Sequence, residues 1–515
     1  MTSALVLKYR KKVLTEMSER SAMASAVVFS KPPPSSPPFS SNSSAASRMI
    51  SRRCRSLRRC AGVDSCACSA AMRFLSRWLR RHRSVPSSAT HVILTVLSFR
   101  QQDQKSSHPE EHERSGLMTH TDQSVRVPGR VIDLDRARER HGEQADRMVR
   151  LLGVGDPLAD AVILEIDALG KESRRALNAG LADGLASLTG PPPAIAAFLR
   201  QMETVPAWVD PEMIRRGETA ALSVPLLWFE LSAMATALVH TYSSPAIARL
   251  LVQTGRLTTM APRRLAETGM WTAQATMPGG LLRGAPGYQA TAQVRLLHAR
   301  MRHSALKRGW DTAEWGVPIN QVDVARTWLD FALISYQAIA ALGFELTEAE
   351  QHDMYRYWHY IGYLLGLDDE SFYRDITGHQ AAAELMGLFD LTKHAPDENS
   401  RALTTAMIKA QVGSLAAHPQ PLMSPADLTH LVHAILRSAY GDELSEQLGI
   451  PESTAMPFLA LTRQANRDAR RLQTADPTVA ANALAQNVAI REAILKAASP
   501  APTYQQHAHT GLPDD

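Results

Sequence analysis

Cysteine is missing from most of this 515-residue chain. All four, Cys54, Cys60, Cys66 and Cys68, lie in the first segment. Their spacing fits no zinc pattern, and no C-x-x-C-H haem-attachment motif occurs. The body from residue 118 onward therefore carries no disulfide, no thiolate nucleophile and no cysteine-ligated iron–sulfur cluster. Sustained alternation of apolar and polar residues is also lacking, as are internal repeats and a phosphate-cradling glycine loop. Aromatics make up only 6% of the residues, and β-branched runs are scarce. What remains is a chain rich in Ala and Leu, long enough for a large core, and suited to helices.

An excess of one sign of charge is lacking too, once the chain is divided. Of 56 Lys/Arg and 51 Asp/Glu, residues 1–117 hold 20 and 7, which leaves 36 basic against 44 acidic residues beyond. The high pI belongs to the first segment, and the body gives no nucleic-acid signal. Residues 1–117 read as a low-complexity basic extension. Lys31 is followed by Pro-, Ser- and Arg-rich runs without periodicity. Two readings of it are a disordered arm and a mis-assigned start, with Met118 as the true first residue. A short apolar run, 89–99, follows Arg80-Arg81 but lacks a small-residue cleavage site, so a cytoplasmic location is expected over export.

The body predicts a single all-α domain over 125–498, with a disordered tail over 499–515. Helices are expected near 157–169, 171–186, from Pro193, after Asp210-Pro211, and over 288–303, 347–366, 379–395, 399–415, 425–438, 453–472 and 479–497. Two apolar stretches, 219–239 and 324–344, are read as buried core helices. The first is long enough to span a bilayer, but Glu230 in its middle is expensive in lipid. Contact with a membrane surface stays open, and so does oligomeric state.

The 288–303 helix carries the sharpest chemical pattern. Arg295, His298 and Arg302 fall at i−3, i and i+4 on one face, beside an apolar strip of Leu297, Met301 and Ala305. An imidazole between two guanidiniums suits a haem, with a nitrogen for iron and cations for the propionates. The same spacing equally describes a partly buried histidine beside two solvated arginines. Upstream, Pro262 is expected to start a helix on which Arg264 and Thr268 are neighbours. Glu267 on that helix has two readings: an ion pair with Arg263, or a carboxylate that handles protons in a pocket.

Five segments together carry a family resemblance: V-P-A-W-V-D (205–210), T-G-R-L (254–257), R-L-A-E-T-G (264–269), V-R-L-L-H-A-R-M-R (294–302) and N-Q-V-D-V-A-R-T-W-L-D-F (320–331). In this order they resemble the mpaB-type oxygenases, a family that includes the latex clearing proteins. The resemblance spans roughly 150–400. It implies a globin-like helical core holding haem b non-covalently, with His298 as axial iron ligand and Arg264 and Thr268 lining the distal side. It also implies O₂ as co-substrate and an apolar small molecule or polymer as substrate, unsaturated and lipid- or isoprenoid-like. This chain departs from the latex clearing proteins at two places. Glu267 stands where they have a lysine, and residues 240–256 contain no acid where they carry a pocket glutamate. The expected activity is thus haem-dependent oxygenation of something other than rubber, with Arg264, Glu267 and Thr268 as catalytic candidates and Arg295 and Arg302 as propionate partners. A haem-binding sensor or store without turnover is the alternative.

Overall fold

The computed structural model describes residues 126–253, 257–367, 372–376, 378–417 and 423–497, all within one compact unit, Asp122–Asp515. The expectations for 1–117 and 499–515 lie outside the described residues. Among the described residues there is no strand, and helix follows helix from Leu134–His141 to Pro477–Ala497.

Helix starts follow local chemistry. Asp156 caps Pro157–Leu169 by accepting from the Ala159 amide at 3.1 Å, and Asp210 caps Pro211–Ser223 through Met213 at 2.8 Å. Asn320 caps Gln321–Leu329, and Thr347 with Glu350 forms a reciprocal capping box before Glu348–Leu364. The helix expected over 288–303 runs from Pro286 to Lys307.

Three expectations are corrected. The 219–239 stretch is not one helix. Pro211–Ser223 ends before Pro225, and the chain turns by 79° into Leu226–Tyr242. Proline lacks the N–H that would continue the helix, and it pushes the preceding Val224 into an extended conformation. Among the described residues no single helix is long and apolar enough to cross a membrane, although this bent pair passes the length and composition test. The 324–344 stretch is likewise interrupted, by a π-helical turn over Asp330–Ile334. It packs beside a second π-helical turn at Phe229–Met234. Finally, Pro262 lies inside Leu257–Ala275 rather than at its start.

The main core joins these segments to the 348–364 helix. Trp271, Tyr288, Trp328, Phe331, Tyr357 and Trp358 are its large side chains. Gly217 lets Pro211–Ser223 lie directly on Glu348–Leu364. A Cβ there would collide with the Tyr357 side chain.

Candidate functional site

The expected site residues lie on two helices that pack against each other. Leu257–Ala275 carries Arg264, Glu267 and Thr268, and Pro286–Lys307 carries His298. Trp271 locks them, donating from Nε1 to Thr291 Oγ1 at 3.0 Å. Their close approach depends on Gly287, where a Cβ would stand 2.5 Å from the Gln274 carbonyl oxygen. Thr291 and His298 are seven residues apart, so the histidine projects from the same side of its helix two turns further on.

His298 lies deep in the fold and keeps only a little accessible surface. Burial, reinforced by the Arg302 cation, pushes its imidazole pKa down to about 4, with Asp156 opposing. The ring is therefore neutral near pH 7, the form that ligates a metal. Its Nδ1 is buried and has no hydrogen-bond partner. Leaving such a nitrogen unsatisfied costs about 1–3 kcal/mol, which a bound ligand would offset.

The flanking arginines do something other than expected. Arg295 is 3% exposed and grips Asp156 with both edges, Nε to Oδ2 at 2.6 Å and Nη2 to Oδ1 at 3.0 Å. Its Nη1 donates to Gln201 Oε1 at 2.6 Å. Arg302, also 3% exposed, donates to the carbonyls of Pro318 and Ile319 and pairs with Asp160. Every nitrogen of both guanidiniums has an acceptor. Both side chains are buried and bonded within the protein, so the reading of two solvated arginines fails. Both side chains instead fasten the His298 helix to the Pro157 helix. The fit is tight: a Cβ on Gly366, whose φ is +85°, would strike Asp156 and Arg295.

Glu267 also departs from its catalytic reading. Its carboxylate accepts from Arg263 Nε at 2.8 Å, one helical turn away, and both side chains are partly exposed. A bound, solvated carboxylate is poorly placed to handle protons in a pocket. Arg264 behaves differently. It is largely enclosed, and burial lowers its pKa while the Tyr242 phenol and Glu267 oppose that shift. Its Nη2 donates to the Leu251 carbonyl at 3.3 Å. Thr268 lies one turn further along the same face.

Residue spacing did not point to a buried polar network next to these helices. His240 Nδ1 lies 2.7 Å from Asp330 Oδ1, and Thr241 donates to Asp330 Oδ2 at 2.6 Å. Arg326 Nη2 donates to Ser243 at 3.1 Å, and its Nη1 pairs with Asp390 at 2.9 Å. Burial pushes Asp390 up, but Arg326, His240 and Lys393 together hold it below the usual carboxylate range. Burial and Arg326 bring Lys393 down to about 8. The available signal was a lone Asp inside an apolar run.

Among the described residues no group of three or more His, Cys, Asp or Glu is placed to hold a metal ion. A neutral, buried imidazole with an unpartnered nitrogen suits a cofactor that brings most of its own metal ligands and needs one nitrogen from the protein.

Comparison with known proteins gives one family match. Residues 219–467 match the family model described as "ER-bound oxygenase mpaB/B'/Rubber oxygenase, catalytic domain". A solved structure of latex clearing protein LCP in the closed state aligns with a TM-score of 0.49 at 18% identity, over 66% of this chain and 91% of that one. A search of curated proteins finds no match. The matched segment contains both site helices and the polar network, and residues 219–467 are assigned by it to the mpaB/rubber oxygenase catalytic domain, a domain of oxidoreductases of the oxygenase kind.

Proposed function

We propose that this protein is a haem b-dependent oxygenase that uses O₂ on an apolar, unsaturated substrate of lipid or isoprenoid type. The observation that carries this reading is His298, a buried, neutral imidazole with an unpartnered Nδ1. The bound haem would supply the activation of O₂.

The chain's own residues supply placement and shielding. His298 presents a nitrogen that is unprotonated near pH 7. The Arg295–Asp156 and Arg302–Asp160 pairs hold its helix in register, so the imidazole need not reorganise when it binds. Arg264 and Thr268, on the helix packed against it, are the candidate hydrogen-bond donors for a propionate or a bound oxygen. The buried segments Leu226–Tyr242 and Gln321–Ala341 exclude water, which favours an apolar substrate. Glu267, tied to Arg263, takes no proton in this scheme. Because Glu267 stands where the latex clearing proteins have a lysine, and residues 240–256 hold no acid where they carry a pocket glutamate, the substrate is something other than rubber.

The deciding experiment is an absorption spectrum of the purified protein, reduced with and without CO. Wild type should show a Soret band that shifts with CO, and His298→Ala should lose it while keeping its helical circular dichroism. Colourless protein that takes up no added haemin would end the proposal. Oxygen uptake with an unsaturated lipid or isoprenoid then tests turnover.

A further inference from the structure

The aromatic side chains of the core are connected to the candidate site. Trp271 lies one turn beyond Thr268 and is bonded to Thr291 on the His298 helix. Its ring meets Trp358 at 6.3 Å between centroids, and both pack on Phe331 at 5.6 and 5.9 Å. Trp328 joins next, donating from Nε1 to the Trp358 carbonyl at 2.7 Å. The Trp328 ring stacks on His359 at 5.7 Å and meets Tyr373 at 6.2 Å. His359 in turn meets Trp208 at 6.4 Å, and Trp208 reaches the surface half-buried under Arg356.

We propose that Trp271, Trp358, Trp328 and Trp208, with His359 and Tyr373 packed between them, form a relay carrying oxidising equivalents from the iron site to the protein surface. This rests on the haem reading above. The oxidant is added hydrogen peroxide, which the bound haem would reduce to water with electrons drawn through this chain of rings when no organic substrate is there to supply them. One electron passes inward from Trp271, which is refilled from Trp358, then from Trp328, and finally from Trp208. Each transfer moves an electron and no atoms.

Hydrogen bonding explains why the oxidising equivalent does not stop in the core. An oxidised indole becomes a strong acid and is trapped once its N–H proton leaves. Trp271 and Trp328 donate only to a threonine hydroxyl and a peptide carbonyl, and Trp358 faces the Tyr336 phenol, all of them feeble bases. The three inner indoles thus keep their protons and pass the charge on. At Trp208 water can accept the proton, and the Arg356 guanidinium, 5.5 Å from the ring, disfavours the cationic form. The neutral radical left there is reduced by a solvent reductant or captures O₂ as an oxidised indole.

The test uses haem-loaded protein, its Soret band recorded first, treated with hydrogen peroxide without organic substrate. Aromatic radicals are followed by electron paramagnetic resonance, and oxidised residues by peptide mass spectrometry. Wild type should give an aromatic radical and oxygen additions concentrated at Trp208. In Trp271→Phe, Trp208 oxidation should fall severalfold and haem bleaching should accelerate. In Trp208→Phe, a change near the surface, additions should move to Trp328 or Tyr373. Equal Trp208 oxidation in Trp271→Phe or in haem-free protein, or none in wild type, overturns the relay. A missing Soret band defeats the haem reading and the relay with it, whereas a normal band without the Trp208 pattern defeats the relay alone.

Discussion

Asp330 and His240, ninety residues apart in sequence, meet at 2.7 Å with both side chains buried. Asp330 opens the π-helical turn, so the pair ties an irregular backbone segment to the Leu226–Tyr242 helix. Removing one partner of a buried polar pair leaves the other without its bond, at a cost of about 3–5 kcal/mol for charged partners. Asp330→Ala should lower the urea unfolding free energy by roughly that amount. A loss within the noise of a surface substitution would show that the network contributes nothing to the fold.

The Arg295–Asp156 pair predicts a second outcome. Asp156→Asn removes the charge opposite a guanidinium that is 3% exposed, and should destabilise by about 3 kcal/mol or more. If the pair also positions the His298 helix, haem occupancy at limiting haemin should fall in this variant even well below its melting temperature. Unchanged occupancy would confine the pair to stability.

Glu267 predicts the opposite kind of result. An i,i+4 ion pair at the edge of solvent is worth only about 0.2–0.5 kcal/mol. Glu267→Gln should therefore leave the melting temperature, the Soret band and the pH profile of oxygen uptake as they are. A displaced alkaline or acid limb in that profile would restore the proton-handling role.

Acid should weaken the haem-free fold through two histidines. His298 and His359 are both pushed down to about 4 by burial, against 6.5 when exposed. Between those values the unfolded chain binds protons that the folded chain does not, so stability falls as pH drops from 6.5 towards 4. At pH 5 the loss is about 2 kcal/mol for each ring, on an order-of-magnitude basis. His359→Phe keeps the stacking on Trp328 and should flatten this acid limb. Urea midpoints at pH 7 and pH 5 measure it directly.

Helix positions were readable because their determinants are local. Asp156-Pro157 announces a capped start, and the Asp156 side chain does cap that helix through Ala159. What no local pattern announces is that Asp156 also binds Arg295, 139 residues away. Spacing placed Arg295 and His298 on one face of one helix but could not say which partner each side chain would meet. The π-helical turns were hidden for the same reason. Their extra residue is stabilised by packing between two segments a hundred residues apart, not by composition.

By itself, then, the sequence determined the all-helical class, most helix boundaries, the absence of thiol chemistry from the body and the single histidine to which the oxygenase resemblance leads. Those properties follow from capping residues, helical periodicity and residue identity, which act over a few positions. Tertiary structure alone decided that Arg295 and Arg302 brace the helix, that Glu267 faces Arg263, and that four tryptophans connect the site to the surface. Such outcomes depend on which buried donor finds which acceptor across the fold, because an unmatched charge or hydrogen bond in the interior costs more than any local preference supplies.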